Sequence, residues 1–170
     1  MAHNTQILIL LGANGAGKTT IGRMLATRFG GHFFSPEEFF MARYPTLEDY
    51  RADRDMVYHA LEEHVRAAVQ ETVVILEEVG LSDVSRTMIE HLQRDYRVRL
   101  VKVMADEAIC LRRVAARGTH HNFPKAPDFV TYVHDAFLKQ AIYPFDLEIQ
   151  NEDLSEDEIY QLFEPLFADT

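Results

Sequence analysis

The amino-acid sequence predicts a three-layer α/β domain in which a five-stranded parallel sheet lies between helices on both faces. Two observations predict it. Short apolar or β-branched runs alternate five times with longer segments of helical period. The first run is apolar throughout, as in a strand buried on both faces, and a glycine-rich turn follows it directly.

The elements are expected in this order. Gln6 to Leu11 reads as the first strand, Gly12 to Gly17 as a turn, and the next helix runs to about Phe29, where Gly30-Gly31 stops it. His32 to Phe34 is a short second strand. A long helix near Tyr50 to Gln70 carries Val57, Leu61, Val65 and Ala68 on one stripe. Thr72 to Leu76 is the third strand, followed by a loop around Gly80 and a helix near Ser85 to Arg94. Val98 to Met104 is the fourth strand, and a helix runs from about Asp106 to Arg117. A glycine and two prolines mark Gly118 to Pro127 as a loop. A helix from about Asp128 to Ala141 leads to the fifth strand, Asp146 to Gln150. Ser155 and Glu158 form a capping box that opens a last amphipathic helix bearing Ile159, Leu162, Phe163 and Leu166. Right-handed crossovers set the loops after the strands along one edge of the sheet, where ligands bind in such folds.

A chain of 170 residues fits one domain over 1–170, and 47% apolar residues suffice for a real core. Met1 to Gln6 is polar and lacks the basic start of a signal peptide. The longest apolar run, Ile7 to Leu11, is far short of the roughly 20 residues that span a bilayer. A lone cysteine, Cys110, makes no internal disulfide, so a reducing cytoplasm is the expected compartment. Its apolar neighbours Ile109, Leu111 and Val114 suggest a buried spectator thiol. A net charge of −10 argues against general affinity for nucleic-acid backbones. Nine acidic residues and no lysine or arginine lie between Gln140 and Thr170, as a solvated surface would have.

Gly12-Ala13-Asn14-Gly15-Ala16-Gly17-Lys18-Thr19 satisfies G-x-x-x-x-G-K-[ST] in full, and Thr20 follows. The glycines let the backbone wrap until successive N–H groups face phosphate oxygens, and the new helix adds the positive end of its dipole. Lys18 is placed to bridge the β- and γ-phosphates of ATP, and the Thr19 hydroxyl to meet Mg²⁺. A buried strand before the motif and a helix after it are the context a phosphate-binding loop requires. The fold expected is therefore that of the P-loop nucleotide-binding proteins. The Asn-Lys-x-Asp motif of GTPases is missing, since Asn151-Glu-Asp-Leu154 has no lysine.

Element order and four local features together resemble the small-molecule kinases of the nucleoside-monophosphate-kinase and shikimate-kinase type. The first feature is Arg113-Val-Ala-Ala-Arg117 before the Gly118–Pro127 loop. The resemblance implies a small mobile lid at about 118–127, one arginine packing on the adenine and one reaching the phosphates. The i, i+4 spacing puts both on one helical face. The second is Phe33-Phe-Ser-Pro-Glu37-Glu38, where relatives hold an acid that activates the acceptor hydroxyl. Ser35 replaces the first such acid, Glu37 falls on the second, and Glu38 is the alternative. Ser-Pro-Glu-Glu is equally a good helix start. The third is Tyr50-Arg51 with Arg54 nearby, where the resemblance implies an arginine gripping an anionic acceptor. The fourth is Glu77-Glu78-Val-Gly80. Glu77 or Glu78 would bind Mg²⁺ through water, strand alternation aiming them to opposite sides. Gly80 would let substrate approach the backbone.

The resemblance implies an ATP- and Mg²⁺-dependent phosphotransferase acting on a small-molecule acceptor. That acceptor stays open among nucleoside, nucleotide, sugar acid and antibiotic, as does the oligomeric state. The rival reading, which Ser35 favours, is an ATP-binding or ATP-hydrolysing regulatory protein without a small acceptor. His120-His121 lacks the further ligands of a metal site.

Overall fold

The computed structural model describes residues 6–44, 46–117 and 126–168. Its elements are β1 (Ile7–Leu11), α1 (Lys18–Phe29), β2 (His32–Phe34), α2 (Pro36–Arg43), α3 (Leu47–Ala52), α4 (Arg54–Ala68) and β3 (Val74–Glu78). After them come α5 (Asp83–Asp95), β4 (Val98–Met104), α6 (Glu107–Ala116), α7 (Pro127–Lys139), β5 (Leu147–Gln150) and α8 (Glu156–Ala168).

The sheet is all parallel, in the order β2-β3-β1-β4-β5. β1 occupies the centre, hydrogen-bonded to β3 on one side and β4 on the other, and each of its five residues is buried. Alternation along β1 builds a separate core on each face. Ile7, Ile9 and Leu11 pack with Val57, Leu61 and Val65 of α4 and with Met88, Ile89 and Leu92 of α5. Leu8 and Leu10 pack with Ile21 and Leu25 of α1, Val114 of α6, and Ile159 and Phe163 of α8. Each such side chain contributes about 1.5–3 kcal/mol by leaving water, so a polar residue at Ile9 would break the central strand. The expected three layers are thus present, with two cores in place of one.

Most boundaries agree with the sequence reading to within a residue or two. The helix expected from Tyr50 to Gln70 is instead two helices. α3, capped by the Thr46 hydroxyl, ends at Ala52, and Asp53 leaves helical geometry at φ −129 and ψ 27 before α4 begins. The Asp53 side chain makes no capping bond to α4, so the break is one of backbone geometry. The Ser-Pro-Glu-Glu start does open a helix, α2, with Pro36 at its first turn. β3 runs from Val74 to Glu78, two residues beyond the expected Thr72–Leu76, because pairing with β1 carries the two glutamates into the strand despite their poor strand propensity. Residues 118–125 of the expected lid lie outside the described residues. The Ser155–Glu158 capping box forms as read. Among the described residues, no helix is long and apolar enough to cross a membrane.

Candidate active site

The phosphate-binding loop leaves the C-terminal end of β1. Gly12 sits so close to β4 that a Cβ on it would lie 2.1 Å from the Val103 carbonyl oxygen. Gly17, the residue before α1, has φ +100, and a Cβ there would come within 2.2 Å of Asn151 Nδ2. Both positions therefore require glycine. Ala13 and Ala16 are buried beneath the loop, whereas Thr20 turns outward and is exposed. Asn14, Gly15, Gly17, Lys18 and Thr19 line a cavity of about 400 Å³.

The N-terminus of α1 differs from those of its neighbours. It alone among the described helices has no acidic residue in its first turn, and no side chain caps it. Its partial positive charge and open N–H groups face the loop with nothing local to neutralise them, the condition for holding an anion.

Lys18 is buried, and its ammonium donates to the carbonyl oxygens of Gly12 and Ala13 at 2.7 and 2.9 Å. Burial lowers its pKa from the ordinary lysine value, while the charges of Glu77 and Glu78 act in the opposite direction. The Thr19 hydroxyl donates to Glu77 Oε2 at 2.7 Å, joining the start of α1 to the end of β3. Two oxygens of this kind suit a hard cation such as Mg²⁺.

Glu78 points to the other face of the sheet. Its carboxylate accepts from the Val79 N–H at 2.9 Å and from the Tyr58 hydroxyl at 3.2 Å. Of the two candidates for the metal, then, Glu77 meets Thr19 and Glu78 belongs to a buried pair with Tyr58. Burial raises the pKa of Glu78 and, more strongly, that of Tyr58. Gly80 does not line the cavity. Its φ of +78 and its closeness to Leu11, which a Cβ would meet at 2.5 Å, are packing requirements, and its carbonyl accepts from the Tyr143 hydroxyl.

The two arginines of α6 and its end separate in role. Arg117 lines the cavity. Arg113 does not: its guanidinium donates to the carbonyl oxygens of Gly15 and Asn151, both at 3.2 Å, and of Glu152 at 3.4 Å. Its donors hold the loop to the turn after β5, so of the expected arginine pair only Arg117 faces the cavity in this structure. Asn151 adds a second tie, its Nδ2 donating to the Ala16 carbonyl at 2.8 Å. Sequence reasoning missed Asn151 because only its place after the last strand marks it.

Across the cavity from the loop stand Glu37 and Phe40 of α2, Tyr50 and Arg51 of α3, and Arg54 and Tyr58 of α4. Phe129 and Tyr132 of α7 form another wall. Glu38 is exposed and paired with Arg23, away from the cavity, so of the two adjacent glutamates Glu37 alone faces it. Tyr58 and the α7 aromatics left no sequence signal beyond ordinary helix faces. Cys110 is buried as expected, and its thiol donates to the Ala105 carbonyl.

A family model described as an AAA domain matches residues 7–141. The chain belongs to that family. The match runs from β1 through α7, so it includes the phosphate loop and both strand-end glutamates, while the Asn151 tie of this AAA domain lies beyond it. No curated protein sequence matches the chain significantly. Among solved structures, shikimate kinase from Acinetobacter baumannii is similar with a TM-score of 0.65 at 14% identity, over 99% of this chain and 96% of that one. Shikimate kinase from Bacteroides thetaiotaomicron gives 0.64 at 18% identity, over 94% and 97%. A gluconokinase from Sinorhizobium meliloti gives 0.63 at 13% identity, over 99% and 92%. At these identities the likeness shows a shared fold for the AAA domain described here.

Proposed function

We propose that the protein is an ATP-dependent phosphotransferase that moves the γ-phosphate to a hydroxyl or phosphate of a small molecule. The observation that carries the reading is the continuity of the cavity. It runs from the phosphate loop to a second wall bearing Glu37, Arg51 and Arg54, where a nucleotide alone would leave charged groups facing no ligand. The solved kinases of the same fold act on small acceptors, which agrees with this reading.

In the proposed reaction, Lys18 leaves the Gly12 and Ala13 carbonyls for the β- and γ-phosphates, and the open N–H groups of α1 hold their oxygens. Thr19 and Glu77 are the residues that would hold Mg²⁺, directly or through water, and the ion would supply neutralisation of the charge on the phosphate oxygens. Glu37 orients the acceptor hydroxyl and takes its proton, for which it must come within about 3 Å. Arg51 and Arg54 grip an anionic part of the acceptor, and Arg117 meets the transferring phosphoryl group. Arg113 is a positioning residue that fixes the loop. Rate enhancement then rests on positioning and charge neutralisation.

Transfer of labelled γ-phosphate from Mg-ATP across nucleosides, nucleotides and hydroxylated metabolites tests the proposal, with Lys18→Ala alongside. A labelled acceptor formed by the wild type only is the expected result. ATP binding with no labelled acceptor, or release of free phosphate alone, would transfer support to a regulatory ATP-binding protein.

A further inference from the structure

Away from the cavity, at the junction of α6 and α7, lies a group of side chains that phosphotransfer does not use. Glu107 stands in the first turn of α6, and His134 and Asp135 stand on α7. One ligand atom from each lies within 4.8 Å of the others. We infer that Glu107, His134 and Asp135 form a binding site for a divalent transition-metal ion of the Zn²⁺ class, which fastens α7 to α6.

The chemistry of His134 is the strongest support. The ring is only 7% exposed. Its Nε2 lies 3.0 Å from the Ala105 carbonyl oxygen. A carbonyl only accepts, so Nε2 carries the hydrogen and Nδ1 carries the lone pair. Nδ1 is itself buried and has no hydrogen-bond partner. A buried acceptor left in this state is disfavoured, and adding a proton would only bury an unpaired donor. A metal ion satisfies the lone pair. The Nε2–H bond to a backbone carbonyl is also the outer-shell contact that metal-bound imidazoles make, because it fixes tautomer and ring orientation.

The carboxylates are arranged to match. Thr131 donates to Glu107 Oε1 at 2.7 Å, and Lys139 donates to Asp135 Oδ2 at 2.6 Å. These bonds orient both groups, and each carboxylate has a second oxygen to offer an ion. Lys139 offsets part of the charge of Asp135, and an ion between the two carboxylates would balance the remainder. One imidazole nitrogen with two carboxylate oxygens suits Zn²⁺ or its first-row neighbours better than Mg²⁺ or Ca²⁺, which take oxygen alone. Three protein ligands leave a fourth position for water. The same two helices bear Phe129 and Tyr132, which wall the cavity, and Arg113, so an ion here would stiffen that wall without touching substrate.

The test is Zn²⁺ binding by the full chain after chelator treatment, measured by calorimetry and by metal analysis after dialysis. Co²⁺ absorption reports the coordination. The proposal expects one tightly held Zn²⁺ and a higher melting temperature when it is bound. Glu107→Gln and Asp135→Asn, both at half-buried positions, should each weaken binding at least about 100-fold, more than outer-shell changes do. Thr19→Val with Glu77→Gln, which disables the phosphate-site oxygens, should leave that ion in place. His134→Gln is a third variant, read only if its far-ultraviolet circular dichroism is native. Binding that survives both carboxylate substitutions would overturn the proposal. Loss of the ion with the Thr19 and Glu77 changes, or stabilisation by Mg²⁺ and not by Zn²⁺, would overturn it equally.

Discussion

Replacing Arg113 by methionine separates a positioning arginine from one that acts on the phosphoryl group. Methionine keeps the length and the apolar stem but removes the guanidinium. Three hydrogen bonds disappear, to Gly15 and Asn151 at 3.2 Å and to Glu152 at 3.4 Å. Bonds from a charged donor are worth about 1.5–3 kcal/mol at their best. These are long and partly exposed, and water can replace the donor, so about 0.5–1 kcal/mol each is appropriate. The loss of stability comes to about 1.5–3 kcal/mol. At about 2–4 °C per kcal/mol for a chain of this size, the melting temperature should fall by about 3–12 °C. ATP affinity should fall with it, because Gly15 belongs to the phosphate loop. Arg113→Lys should not rescue, since one ammonium cannot reproduce the planar fork that reaches three carbonyls. Thermal melts with and without ATP, beside steady-state kinetics, provide the assay. An unchanged melting temperature and ATP affinity with a large fall in kcat would refute the positioning argument and return Arg113 to the reacting phosphate.

Other substitutions have equally definite outcomes. Gly17→Ala forces a side chain into φ +100 and against Asn151, at a cost of about 1–2 kcal/mol for the backbone alone, and calorimetry should show ATP binding weakened beyond that of the unchanged fold. Thr19→Val preserves shape but removes the hydroxyl that meets Glu77, so transfer should drop and the Mg²⁺ concentration needed for half-maximal rate should rise; an unaltered Mg²⁺ dependence would contradict the metal assignment. Glu78 has a folded-state pKa raised above 4.5, chiefly by burial, so the native state binds its proton more tightly than the unfolded chain does. Its contribution to stability is fully present below pH 4.5 and is lost as pH rises through the folded value. The stability of Glu78→Gln relative to wild type should therefore increase upward from that pH, and parallel melting curves at all pH values would disprove the sign.

Much of the fold was readable because β1 and its loop have no other use. Five consecutive apolar residues ending at a complete phosphate-loop motif leave little choice of sheet position, and the glycines are explained by contacts with Val103 and Asn151. Glu77 and Glu78 were legible as functional candidates, but their division between Thr19 and Tyr58 was not. It depends on which face each occupies, and β3 lay two residues from its expected place. The exit from helix at Asp53 is a backbone break that a stripe of apolar residues conceals. Arg113 shows the deeper limit. Spacing placed it on the same helical face as Arg117, yet its partners are carbonyls from a loop and a turn at opposite ends of the chain. Only the assembled sheet brings them together.

The order of the strands also bears on how the chain is made. Of these five strands β1 is synthesised first, but Ile7 pairs with Val74 and Val98, both far downstream. Until β4 has been synthesised, the most apolar segment of the molecule has an unsatisfied edge, the type of edge that seeks other chains. Pairings this distant in sequence also form slowly, because a long loop must close before any contact rewards it. Nascent chains halted before Val98 should therefore be the species that chaperones hold and that aggregate when production outpaces them. Because the phosphate loop stays unframed until both neighbours of β1 have docked, ATP cannot aid the early stages of folding and acts only on a chain whose central sheet is already assembled.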